Sequence, residues 1–79
     1  MQLKENLKFQ LLKERVDYHK DICFDSYNIT QKADKSIEIH TDGTSFSGVL
    51  MKDIAALCNI YNWSLGIYVD SNNKPYIKL

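Results

Sequence analysis

The sequence predicts an α+β fold: a two-layer sandwich in the order α-β-β-α-β-β, with a four-stranded antiparallel sheet and two helices packed on one face. Three observations lead there. Apolar residues recur with the 3.6-residue period in two stretches, 2–20 and 46–62. They alternate with the two-residue period in 36–41 and 64–69. Polar, turn-forming segments separate these runs. The chain has 79 residues and no repeat or linker, so a single domain spanning 1–79 is expected.

Residues 2–20 form the first helix. Leu3, Leu7, Leu11 and Tyr18 lie on one stripe. Phe9, Leu12 and Val16 form a second, roughly 120–180° away on an ideal helix. Two stripes exceed what one core contact needs. Either the helix sinks well into the domain, or its second stripe meets another chain, and both stay open at this point. Phe9, Leu12 and Val16 are therefore candidate interaction residues.

Residues 22–30 and 36–41 read as a hairpin around the polar turn at 31–35. Ile37 and Ile39 alternate cleanly with Glu38 and His40. The first strand is untidy, because Ile22 and Phe24 fit one face while Cys23, Tyr27 and Ile29 fit the other. A bulge or a late start accounts for this.

The second helix, 46–62, carries Phe46, Leu50, Ile54, Leu57, Cys58 and Tyr61 on one arc that Val49 and Ile60 widen. Ser45 or Ser47 is the expected N-cap and Asn62 the expected stop. With Ser47 as cap, Phe46 and Met51 have the spacing of a hydrophobic staple. This helix is expected to supply the centre of the core.

Residues 64–69 and 75–79 form the second hairpin, with Leu65, Ile67, Val69, Ile77 and Leu79 turned towards the helices. Pro75 suits the first position of a strand. The opposite face then carries Glu38, His40, Tyr68, Tyr76 and Lys78, with Tyr27 as a further candidate. Tyrosines there are good strand formers on a solvated face, and also large amphipathic contact groups.

Other constellations are weaker. His19, Cys23, His40 and Cys58 are zinc-ligand types without ligand spacing, so neither a metal nor any cofactor is expected, and the cysteines read as core thiols. Residues 41–48 are rich in glycine and hydroxyls but match no phosphate-loop pattern. His40, Asp42 and Ser45 or Ser47 lie too close in sequence for a hydrolytic set. Asp53, inside the apolar arc of the second helix, reads as a cap or a partner for a lysine, or less readily as a functional carboxylate.

Ten basic residues balance ten acidic ones, and Arg15 is the single arginine. That removes the long-range attraction typical of nucleic-acid binders. The N-terminal residues form a charged amphipathic pattern rather than a leader, and no run suits a bilayer, so a cytoplasmic location without membrane contact is expected. The reading is of a small non-catalytic interaction protein. It binds another protein or a second copy, as a homo-oligomer, in the manner of an accessory or mobile-element factor. The alternative is a single-stranded nucleic-acid binder that stacks bases on Tyr68 and Tyr76, which the charge balance disfavours.

Overall fold

The computed structural model describes residues 5–23, 26–43 and 45–79, with side chains at all of these except 5, 6, 22 and 23. Its elements are α1 (Glu5–Cys23), β1 (Tyr27–Gln31), β2 (Ile37–Thr41), α2 (Gly48–Tyr61), β3 (Gly66–Val69) and β4 (Pro75–Lys78), in the expected α-β-β-α-β-β order. The strands form one antiparallel sheet in the order β1-β2-β4-β3.

Helix α2 follows its sequence signals closely. Ser47 is the N-cap, its hydroxyl accepting from Leu50 N at 3.2 Å. Asn62 closes the helix in the left-handed region at φ 58°, its N–H bonded to the Cys58 carbonyl. Asparagine tolerates that conformation better than other side chains bearing a Cβ. Phe46 and Met51 flank the cap, both half-buried against the core. Ser47→Ala should lower stability by about 1 kcal/mol, read as a shift in the urea midpoint with an unchanged slope.

The two hairpins are fixed by local turn chemistry. In the β3–β4 turn, Asp70 Oδ1 accepts from Asn72 N and Lys74 N, both at 2.9 Å, and Asn73 sits at φ 61°. In the β1–β2 turn, Asp34 Oδ1 accepts from Ser36 N at 3.0 Å and Ser36 Oγ at 2.6 Å, with Lys35 at φ 73°. Such side-chain-to-backbone bonds set strand register without help from the core.

One buried cluster joins both helices to one face of the sheet: Leu12, Val16, Tyr27, Ile37, Ile39, Leu50, Ile54, Cys58 and Ile77. Four expectations need correcting against it. First, Leu12 and Val16 are fully buried and Phe9 packs against the same cluster, so the second stripe of α1 is core rather than an exposed contact surface. The other stripe faces outwards, with Leu7 and Tyr18 exposed. Second, α1 runs on to Cys23 and the first strand starts only at Tyr27. Phe24, expected in that strand, and Leu3 lie outside the described residues.

Third, the later start sets the phase of β1, so Tyr27 points to the helices and not to the outer face. It is buried, stacks on Phe46 with centroids 5.7 Å apart, and its hydroxyl accepts from Ser47 N at 3.2 Å. Fourth, Ile67 and Val69 are on the helix side by register, yet they are 56% and 61% exposed, while Ile77 beside Ile67 is 0% exposed. Helix α1 packs on the β1 edge and α2 packs beside α1, so the helix layer ends above β4 and leaves β3 uncovered.

Candidate interaction surfaces

The outer face of the sheet is organised by register. Asn28, His40, Tyr76 and Tyr68 form one row across all four strands, and Thr30, Glu38, Lys78 and Gly66 form the next. Side chains directly opposite on antiparallel strands touch, and the aromatic ones here make a ladder. His40 and Tyr76 stack with centroids 4.8 Å apart and planes 8° from parallel, and Tyr76 meets Tyr68 at 5.7 Å and 30°. Tyr68 leans over Gly66, where a Cβ would sit 2.7 Å from its ring, so the glycine makes room for the end of the ladder.

In the second row, Glu38 accepts from His40 Nε2 at 2.9 Å and lies 3.8 Å from Lys32 Nζ. The His40 bond, aided by the charges of Lys32 and Lys78, holds the Glu38 carboxyl below the usual glutamate range. The structure thus brings Glu38, His40, Tyr68, Tyr76 and Lys78 together on one face.

The second surface is the outside of the helix layer. The helices run antiparallel: Lys8 near the start of α1 lies over the Trp63 ring just past α2 (5.1 Å to the centroid), and Arg15 and His19 meet Asp53 halfway along α2. Asp53 Oδ2 accepts from Arg15 Nε at 2.9 Å, from Arg15 Nη2, and from His19 Nε2 at 2.6 Å. The bond from His19, then those from Arg15, hold the Asp53 carboxyl below the usual aspartate range. Arg15 also covers the Tyr18 ring at 5.1 Å.

Apolar side chains flank this polar seam. Leu7 and Leu11 lie two turns and one turn before Arg15 on α1. Val49 and Ile60 lie on the same face of α2 as Asp53, by the helical period. Leu7, Tyr18, Val49, Ile60 and Tyr61 are all exposed, Ile60 at 70%. The sequence signal for Val49 and Ile60 was the apolar arc of α2, wider than burial against one sheet requires.

The remaining candidates are dispersed among the described residues, and the side chain of Cys23 lies outside them. His19 is 1% exposed, and its Nδ1 is buried without a hydrogen-bond partner among the described residues, so the ring itself is enclosed, while Asp53 and Arg15 beside it stay partly exposed. His40 is held on the outer face, while Ser47 caps α2 beside buried Tyr27, so they are not brought together. After β2, Gly43 N donates to Thr41 Oγ1 at 3.1 Å, and Lys74 Nζ reaches across from the β3–β4 turn to donate to the Asp42 carbonyl at 2.9 Å. Cys58 is a buried free thiol, pushed up in pKa by that burial.

Among the described residues no group of three His, Cys, Asp or Glu is placed to hold a metal ion, and no helix is long and apolar enough to cross a membrane. An open depression lined by Gln10, Lys13, Glu14 and Asp17 follows α1, with Lys13 and Asp17 paired across it at 2.8 Å. No protein-family model, curated protein sequence or solved structure matches the chain.

Proposed function

We propose that this chain is a non-catalytic interaction protein that binds another protein through the outside of its helix layer. The observation that carries this reading is the set of exposed apolar side chains that the helical period places on the Arg15 side of α1 and the Asp53 side of α2: Leu7, Tyr18, Val49 and Ile60. Scattered exposed hydrophobics are ordinary on a monomer, but neighbours flanking one seam are the pattern of a contact surface. Arg15 and Asp53 between them supply a polar centre that fixes orientation, as charged groups do in interfaces.

The double variant Val49→Ser/Ile60→Ser should keep its far-UV circular dichroism and melting temperature, since both positions are exposed. It should lose the protein that the unsubstituted chain captures from its native host. Capture of the same protein at the same yield would place the contact elsewhere. The sheet face supports a second reading, single-stranded nucleic-acid binding, through Tyr68, Tyr76 and Lys78. Against it, His40 and Tyr76 already spend ring faces on one another, and Glu38 lies in the adjoining row. Salt-sensitive binding of mixed oligonucleotides, weakened by Tyr76→Ala, would favour it.

A further inference from the structure

We propose that two copies of this chain pair edge to edge through β3 about a twofold axis at Tyr68, joining their sheets into one of eight strands. The inference extends the reading of a contact protein to a named partner, a second copy, and it rests on different residues from the helix-layer surface.

The geometry comes from the edge itself. Asp70 N donates to the Lys74 carbonyl at 2.9 Å, so the backbone of Asp70 faces β4. Along an antiparallel strand these groups alternate in direction. Tyr68 and Gly66 therefore also bond towards β4, while the N–H and C=O groups of Ile67 and Val69 point away from the sheet. An edge left in this state is a template for another strand. Natural edges are blunted by proline, lysine or a bulge, and Gly66–Val69 contains none of these.

The strand is complementary to itself. With the axis at Tyr68, Ile67 of one copy lies opposite Val69 of the other, twice over. Both are hydrogen-bonded pairs, so all four outward N–H groups find carbonyls. On the helix side, the two residues that the helix layer leaves uncovered, 56% and 61% exposed, cover their counterparts. On the outer side Tyr68 lies beside Tyr68 of the second copy, which continues the His40–Tyr76–Tyr68 ladder across the axis. No charged side chain lies within β3, so the twofold sets no like charges opposite each other. The arrangement closes on itself and stops at two copies.

The area fixes the strength. Ile67, Tyr68 and Val69 are half exposed or a little more, and they supply well under the roughly 800 Å² per partner of a standard stable interface. The dimer is therefore weak and depends on concentration in the micromolar-to-millimolar range.

Sedimentation equilibrium tests this. The expected result is a mass that rises from monomer towards dimer with concentration. Ile67→Lys and Val69→Lys should each stay monomeric with an unchanged melting temperature, because both positions are exposed. Val49→Ser/Ile60→Ser should still dimerise, which separates this edge from the helix-layer contact. In Tyr68→Cys the axis sets two thiols across a closely spaced pair, so mild oxidation should link copies at a yield well above that of the unsubstituted chain. A strict monomer up to millimolar concentration, or association that persists in both lysine variants, would overturn the proposal.

Discussion

Leu12→Ala lowers the unfolding free energy by about 2–5 kcal/mol, while Leu7→Ala, on the same helix, changes it by less than about 0.5 kcal/mol. The contrast follows from burial. Leu12 has no exposed surface and sits in the shared core, whereas Leu7 is exposed on the outer side of α1. Truncation at Leu12 loses transfer free energy and leaves a cavity between α1 and the sheet. A chain of 79 residues has a total stability of about 4–12 kcal/mol at the usual value per residue, so this one change removes a large share of it. Urea unfolding followed by the fluorescence of Trp63, the single tryptophan, measures both variants. The opposite ranking would mean that α1 is rotated relative to the sheet.

Asp53→Ala destabilises by about 1–3 kcal/mol at neutral pH. The loss falls on His19 more than on Arg15. Arg15 is partly exposed and its guanidinium regains water when its partner is removed, but His19 is enclosed and would hold two ring nitrogens without partners. Asp53→Asn keeps the shape and an acceptor, so it should lose less. The effect depends on pH in a fixed direction. The folded state keeps Asp53 ionised to a lower pH than the unfolded chain does, so unfolding takes up a proton in that window. The contribution is fully present above the ordinary aspartate value of 3.8 and fades as the pH falls below it, through the lower folded value. The gap between the unsubstituted chain and Asp53→Ala, measured by urea at neutral pH and well below 3.8, should therefore narrow in acid.

How far the sequence could be read differs from element to element. Helix α2 was legible because its signals are local: the Ser47 cap, the Asn62 stop and an apolar arc. The outer sheet face was legible because β2 and β4 alternate strictly, so Glu38, His40, Tyr76 and Lys78 could only share a side. Helix α1 was legible as a helix but not in its rotation. Periodicity shows two stripes without saying which one meets the sheet, and buried His19 on the inner side disguised the true core face. The phase of β1 was lost because the β-type run from Ile22 suggested an early strand, where the helix in fact continues; that shift carried Tyr27 from the outside to the core. The Arg15–His19–Asp53 seam joins residues more than thirty positions apart, which no local pattern encodes. The exposure of Ile67 and Val69 depends on where the helix layer ends, a matter of tertiary packing alone.

The order β1-β2-β4-β3 also has a consequence in time. Each hairpin joins near neighbours, but the seam between them pairs Glu38 with Lys78 and His40 with Tyr76, closing a long loop of chain. Non-local strand pairing across such a separation is slow compared with local hairpin and helix formation, because the entropy of closing the loop is lost before the contacts form. β4 follows the other three strands of the sheet in sequence yet lies inside it, so a chain made from its N-terminus cannot join its two hairpins until β4 has emerged. Until then the Ile37–Ile39 side of β2 stands as an open edge over an unfinished core. That waiting interval, rather than the finished molecule, is when the chain is most exposed to aggregation and to chaperones.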